Sequence, residues 1–221
     1  MTGMFGLPIE GQQLYTLEFG DIVPYLSLYT CSLFIFALIF IIIAIITRPE
    51  KQATIVFGTD GYYSKEIGLE DLIFQRFMAI ACGLATLGAM ITGDLFNFAL
   101  FTALVGITNI GIVAATDNKH ILNAAFHYGI VAMVATVFLF GGAATALGAT
   151  GTLSIWALAG QQMVPLAAKI FLVFGVFGEG MAPFYIGKSE MIRAPGAPYV
   201  LMIHVSSLLI FLRVVEIVLT V

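Results

Sequence analysis

The stretch that decides the fold is VPLAAKIFLVFGVFGEGMAPFYI, residues 164–186, which is apolar over its length except for a few polar positions. One crossing of a bilayer needs about 20 predominantly apolar residues, so this stretch is long enough. A charge at the middle of such a helix costs roughly 2.5–3.5 kcal/mol on insertion scales, and intramembrane ionisable groups are therefore candidates for function. Glu179 is the first such candidate in this chain.

The composition extends this membrane character to the whole chain. Hydrophobic residues make up 60% of the 221 residues and charged residues only 10%, which is too apolar for a soluble domain. No basic tract interleaved with aromatic residues suggests nucleic-acid binding. Cys31 and Cys82 stand alone in apolar segments without metal-ligand spacing, so we expect reduced thiols, no bound metal and no iron–sulfur or other cofactor.

Six segments are apolar enough to cross the membrane, and they predict an all-α integral membrane protein with one domain over residues 1–221. The segments are 22–46, 72–93, 95–116, 121–147, 164–186 and 199–221. Residues 47–71 form the one sizeable polar loop, which we expect to be cytoplasmic. The second and third segments are separated only by Gly93 and Asp94, which predicts a tight helical hairpin with Asp94 as a solvated turn or helix cap.

The orientation follows from the positive charges in the short loops. Three alternate loops contain six Lys or Arg residues in all: Arg48, Lys51, Lys65, Lys119, Lys188 and Arg193. The N-terminus, the Gly93-Asp94 turn and the loop 148–163 contain none. Positive residues concentrate in cytoplasmic loops, so we expect both termini to lie outside the cell.

Four ionisable groups are candidates for a proton relay through the membrane. At 1.5 Å per helical residue, His127, His204 and Glu179 each lie about 8–10 Å from the inner end of their segments. Lys169 precedes Glu179 by ten residues and so lies about 15 Å nearer the outside. The three inner groups are thus predicted at a similar depth, with Lys169 continuing outward.

The helix around Glu179 is predicted to be weakened. Gly178 and Gly180 flank the carboxylate, and Pro183 both lacks a backbone donor and clashes one turn back, close to Glu179. Exposed carbonyls at membrane depth are tolerated where protein or water lines a cavity. A hydrated, flexible glutamate suits an ion path better than a scaffold.

Each polar group also has a structural interpretation. A membrane histidine such as His127 or His204 often bonds a neighbouring backbone or hydroxyl group. Lys169 can instead extend its ammonium to the outer interface. Arg213 and Glu216 are three residues apart on one helix, which favours a structural ion pair.

Five short motifs, in order, resemble the antiporter-like proton-pumping subunits of complex I, multisubunit cation/proton antiporters and membrane-bound [NiFe] hydrogenases. They are GDLFNF at 93–98, NAAFHY at 123–128, LGATGTL at 147–153, EGMAPF at 179–184 and APGAP at 194–198. His204 also falls where many members have a histidine. The resemblance covers roughly residues 72–215 and implies one five-helix antiporter-like repeat, residues 72–221, after one preceding helix.

Family members usually have two inverted repeats, so the chain resembles a half-length version, most like the small H subunit of Eha/Ehb-type energy-converting hydrogenases. The resemblance implies other integral membrane subunits as partners, one of them supplying the second repeat, with lipid around the assembly. Two family charges are missing. The buried glutamate should fall at Ala103 and the broken-helix lysine at Gly178.

Three functions are compatible with the sequence. The first is an ion-translocating subunit whose partners carry out the redox chemistry, with Glu179, His127, His204 and Lys169 as a proton relay. The sequence favours the proton as the ion and leaves sodium open. The second is a membrane scaffold in the same complex, since charges are lost at Ala103 and Gly178. The third, an independent transporter, fits poorly because half a repeat pair rarely closes an alternating-access path.

The charge asymmetry predicts the accessibility of introduced cysteines. A membrane-impermeant maleimide added outside should label cysteines introduced at residues 150–160 and leave Lys65→Cys unmodified until the membrane is permeabilised. Labelling of Lys65→Cys in sealed cells would reverse the orientation.

Overall fold

A computed structural model describes residues 27–48, 68–115, 119–159, 164–177, 188–189, 191–192, 194 and 199–221. These residues form seven helices. They are α1 (Leu28–Ile46), α2 (Leu69–Ile91), α3 (Leu95–Ala114), α4 (Lys119–Thr150), α5 (Ile155–Ala159), α6 (Leu166–Phe177) and α7 (Leu201–Thr220).

The predicted fold class, all-α and integral to the membrane, is confirmed. Five helices, α1, α2, α3, α4 and α7, are long and apolar enough to cross a membrane, and α6 is a shorter apolar helix. The part of the chain described here contains no β-strand. Helix α6 covers the first part of the predicted segment 164–186. The rest of that segment lies outside the described residues and contains Gly178, Glu179, Gly180 and Pro183. The class is thus a multi-pass bundle with five to six spans.

Local sequence explains where two of the helices begin. The Ser27 side chain accepts a hydrogen bond from the backbone N–H of Thr30, and the Thr30 side chain accepts one from the backbone N–H of Ser27, which forms a capping box at α1. At α3 the Asp94 side chain accepts from the Asn97 N–H at 2.9 Å. The interpretation of Asp94 as a helix cap is therefore confirmed, and the α2–α3 hairpin is as tight as expected.

Backbone hydrogen bonds join the α2–α3 turn to the chain that follows α4. The Leu95 N–H donates to the Leu153 carbonyl at 3.1 Å, and the Ile155 N–H donates to the Gly93 carbonyl at 2.8 Å. These bonds form an isolated bridge between Asp94 and Ser154. The α2–α3 turn and the connection between α4 and α5 therefore lie at the same end of the bundle.

Side-chain contacts define the two ends of the bundle. The Tyr199 hydroxyl donates to the Thr47 carbonyl at 3.0 Å, and Arg76 Nε donates to the Ala44 carbonyl at 3.3 Å. We name this the basic end, because Arg48 follows α1 there and Lys119 begins α4 there, both with exposed side chains. At the opposite end Arg213 Nη2 donates to the Thr92 carbonyl at 2.8 Å. The ends of the described long helices therefore alternate between the two ends of the bundle. Which end faces the cytoplasm stays a prediction.

The helices pack around α2 and α4. Helix α2 contacts α1, α3 and α7, while α4 contacts α3 and α6. The α4–α6 contact is especially close at Gly175. A Cβ there would lie 2.4 Å from Leu139 Cγ and 3.1 Å from the Ala135 carbonyl oxygen. Small residues allow such close approach between membrane helices.

The close approach makes Gly175→Ala destabilising. Leu139 is fully buried and the Ala135 carbonyl belongs to a helix backbone, so neither can move away without disturbing the core. Overpacking of this kind costs roughly 1–3 kcal/mol, which should lower the thermal unfolding midpoint of the purified protein. Gly148→Ala is the matched control, because a Cβ there meets nothing within 4 Å. An unchanged midpoint for Gly175→Ala would contradict this packing.

Candidate functional site

The central feature of the candidate site is a buried lysine. Lys188 is only 2% exposed, its Nζ donates a hydrogen bond to Ser207 Oγ, and it lies 5.2 Å from the centroid of the Tyr128 ring. The sequence predicted Lys188 to be a basic loop residue, and that prediction is wrong because Lys188 is helical and buried. The ammonium group is stable inside the bundle because the Ser207 hydroxyl and the face of the Tyr128 ring replace part of its lost hydration.

Buried polar contacts continue from Lys188 across the bundle. Asn109 Nδ2 donates to the Tyr128 hydroxyl at 3.4 Å, and Cys82 Sγ donates to Asn109 Oδ1 at 3.3 Å. We call the five residues Ser207, Lys188, Tyr128, Asn109 and Cys82 the polar chain. It connects α7, α4, α3 and α2 through side chains alone.

The polar chain lies within the membrane-spanning part of the bundle, towards the basic end. Asn109 precedes the end of α3 by five residues, a depth of about 7.5 Å, and Ser207 follows the start of α7 by six residues, a depth of about 9 Å. The sequence analysis predicted a relay at a similar depth. The structure places the buried side chains of the polar chain at that depth, and the predicted relay itself stays a prediction.

His204 lies next to the polar chain. It precedes Ser207 by three residues on α7, is half-buried, and interacts electrostatically with Lys188. Residues three apart lie on the same face of a helix. Of the sequence-predicted relay residues in the described part of the chain, His204 is the one that the structure brings to Lys188.

His127 points away from the polar chain. Its side chain is exposed on the surface of α4, where its ring centroid lies 6.2 Å from that of Phe126. The next residue, Tyr128, is 2% exposed and faces Lys188. Consecutive helical residues point about 100° apart. His127 and Tyr128 therefore lie at nearly the same depth but face different surroundings. Within the described residues His127 does not contact His204 or Lys188.

The remaining predicted positions are separated from the polar chain. Lys169 lies in the first turn of α6, near the opposite end, and is partly exposed. Ala103, at the position of the family glutamate, is partly exposed on α3. Glu179, Gly178, Gly180 and Pro183 lie outside the described residues, so their roles stay predictions.

A second polar cluster lies at the opposite end, around a fully buried arginine. Arg213 is 0% exposed, and its Nη1 forms an ion pair with Glu216 Oε2 on the next turn of α7. Its Nη2 donates to the Thr92 carbonyl, and the Ser27 hydroxyl donates to Glu216 Oε1 at 3.1 Å. The cluster therefore ties α7 to the end of α2 and to the beginning of α1, in a structural role.

Sequence reasoning missed Lys188, Tyr128 and Asn109. A usable signal existed for Asn109, an amide within the apolar segment 95–116, and for Lys188, which follows the apolar stretch 164–186 by two residues. Tyr128 ends the motif NAAFHY, but nothing in the sequence marked it as a contact of Lys188. The described residues hold no group of three His, Cys, Asp or Glu side chains that could bind a metal ion.

Comparisons with known proteins extend along nearly the whole chain. A family model described as "NADH dehydrogenase I, subunit N related protein" matches residues 4–221. The uncharacterized protein MJ0522 of Methanocaldococcus jannaschii is 50% identical over 214 residues, which cover 96% of this chain and 98% of the relative. A second protein of that organism, the uncharacterized MJ1309, is 28% identical over 158 residues, covering 67% of this chain and 33% of the relative.

The buried arginine predicts a strongly non-additive pair of substitutions. Arg213→Met leaves the Glu216 carboxylate without its ion pair in a largely buried site, a change that typically costs about 3–5 kcal/mol. The double variant Arg213→Met/Glu216→Leu removes both charges and should recover much of that loss. The measurement is the thermal unfolding midpoint of these two variants, of Glu216→Leu and of the unsubstituted protein, which together form a double-mutant cycle. Additive losses would contradict a coupled pair.

Proposed function

The chain belongs to the family of proteins related to subunit N of NADH dehydrogenase I, and on that premise we propose that it is an ion-translocating, antiporter-like membrane subunit. The family implies other membrane subunits as partners. The proposed complex is an energy-converting hydrogenase or a related redox complex, the ion is the proton, and electron transfer belongs to the partner subunits. Within such complexes the chain corresponds best to the small H subunit of the Eha/Ehb type, with another subunit supplying the second repeat.

The burial of Lys188 within the membrane bundle is the observation that carries this proposal. An ammonium group at membrane depth is expensive, so it is rarely retained without a function. Lysine also changes its proton affinity readily when it is buried, which suits it to proton exchange. The contacts of Lys188 with Ser207 and Tyr128 hold it in a defined position. A scaffold would need such a cation only to join helices, as Arg213 does, and not to exchange a proton.

The proposed path begins at the basic end, with Lys188, His204 and Glu179. Lys188 and His204 interact in the structure. Glu179 joins them on the strength of its sequence depth and its Gly178, Gly180 and Pro183 setting. Lys169, about 15 Å along the same segment from Glu179, continues the path towards the opposite end.

His127 takes a different place in the proposed path. Its exposed side chain lies beside Tyr128 on α4, so it would exchange protons with a neighbouring subunit rather than with His204. The lost family lysine at Gly178 would be offset by Lys188, a cation that interacts electrostatically with His204. Under this proposal the charge that tunes the relay has moved along the chain instead of disappearing.

The competing function is a scaffold without its own ion path. It is favoured by α3, which carries no ionisable side chain anywhere between Leu95 and Ala114. The family glutamate belongs on this helix, so a proton would have to bypass it. Substitutions that keep assembly intact separate the two functions.

Lys188→Met should leave the complex assembled but lower proton transport coupled to the redox reaction by at least about tenfold, as expected when a group that transfers a proton is lost. Met matches the length of the lysine stem without its charge. Lys188→Arg, which keeps a cation that does not deprotonate, should also fail. The measurement is formation of a pH gradient in sealed membrane vesicles during turnover. Lys119→Met is the control, because Lys119 is exposed at the same end.

Glu179→Gln is the companion variant. Gln keeps the size and hydrogen bonding of the glutamate but cannot release a proton, so packing loss does not account for failure. His204→Gln should weaken coupling more mildly, because water can replace one member of a relay, and Lys169→Met should mainly slow release at the opposite end. Normal coupled transport in fully assembled Lys188→Met and Glu179→Gln complexes would leave the scaffold as the function.

A further inference from the structure

One face of α4 is formed by residues that lie alternately three and four positions apart along almost the whole helix. We call this face the α4 seam. Its members are His120, Asn123, His127, Ile130, Val134, Val137, Gly141, Ala144 and Gly148. All are exposed except Gly141, which is partly exposed. A repeat of 3.5 residues is the pattern by which two long helices pack side by side.

The half of the seam near the basic end is polar at membrane depth. His127 precedes the buried Tyr128, whose partner Asn109 lies about 7.5 Å inside the end of α3. Helix α3 itself is about 30 Å long, close to the thickness of the hydrocarbon core. His127 therefore lies at hydrocarbon depth, where lipid cannot satisfy an imidazole. Asn123 adds an exposed amide one turn nearer the basic end.

The other half of the seam consists of small residues. Gly141, Ala144 and Gly148 bring the α4 backbone to the surface, and a Cβ on Gly148 would meet nothing of this chain within 4 Å. The close packing of α4 against α6 is centred on Gly142 and Leu139, although Gly141 also borders it, since a Cβ there would lie 3.7 Å from the Phe171 ring. Small residues at a lipid-exposed helix surface gain nothing from lipid contact, whereas they allow another helix to approach closely.

We propose that the α4 seam is the docking surface for a transmembrane helix of a different integral membrane subunit. That helix presents a carboxyl side chain opposite His127, with Asn123 as a second hydrogen-bonding partner. Opposite Gly141, Ala144 and Gly148 it presents bulky apolar side chains that fill the space they leave. The two helices pack with the shallow crossing angle that a 3.5-residue repeat imposes.

The charge on α4 determines the chemistry of the partner. Helix α4 contains Lys119, His120 and His127 and no Asp or Glu between Lys119 and Thr150. A carboxyl group satisfies the imidazole and complements this charge. A second copy of the chain fits poorly. Two copies inserted in the same direction around a two-fold axis would place His127 against His127, so neither imidazole would meet a carboxyl group.

This inference rests on membership of a membrane complex but not on ion movement. Its readout is retention of a partner subunit, whereas the test of the proposed function is coupled proton transport in an assembled complex. The two can therefore fail separately.

The first experiment locates the partner by photo-crosslinking in the native complex. A benzophenone amino acid replaces Val134 in the seam, and the control replaces Leu208 on α7, which is equally exposed, 51% against 52%. We expect an adduct from Val134 whose crosslinked peptide lies in a transmembrane segment with an Asp or Glu on the His127 side of the crosslink. An adduct with a second copy, lipid adducts alone, or a crosslinked segment without a carboxyl residue would each overturn the proposal.

The second experiment measures partner retention after substitutions on the seam. Gly148→Leu should not lower the unfolding midpoint of the chain alone, because the site is open, but should reduce co-purification of the crosslinked subunit at least about tenfold through overlap with its helix. His127→Leu should reduce retention roughly three- to tenfold, the range for one hydrogen bond between membrane helices, and His127→Gln should restore part of it. Full retention in both Gly148→Leu and His127→Leu would overturn the proposal.

Discussion

The structure depends on one constraint: polar groups inside a bilayer have no water to bond, so they must find partners within the protein. Lys188 meets this constraint with the Ser207 hydroxyl and the Tyr128 ring. Arg213 meets it with Glu216 and the Thr92 carbonyl. Because each cation needs partners from several helices, the two side chains determine how those helices can be arranged. The ordering of the bundle and the candidate chemistry therefore have the same physical origin.

The two buried cations differ in what they can do. Arg213 remains charged under all ordinary conditions, and its ion pair joins the end of α2 to α1 and α7. Lys188 has a titratable ammonium and contacts hydroxyl and aromatic groups instead. The bundle thus contains the Arg213–Glu216 ion pair at the opposite end and a lysine, a titratable side chain, near the basic end. Under the proposed function, the charge at Lys188 changes while the Arg213 ion pair keeps the helices together.

The surface of α4 extends the same constraint beyond the chain. Tyr128 and His127 are neighbours at one depth, yet the first is enclosed by the bundle and the second is exposed. The family implies other membrane subunits as partners, and the outward-facing imidazole of His127 at hydrocarbon depth is a group that such a subunit can contact.

The sequence by itself determined the features that depend on local spacing. Segment lengths predicted the membrane helices, the position of Asp94 before Leu95 predicted its cap, and the three-residue interval between Arg213 and Glu216 indicated their ion pair. Depth along a helix could also be counted. Only the tertiary structure decided which face of each helix is enclosed and which distant residues meet. Lys188 follows an apolar stretch and resembles a loop residue, and its contact with Tyr128 spans 60 positions of the chain, so no local pattern records it. Long-range packing, which depends on all the helices at once, made that lysine the centre of the site.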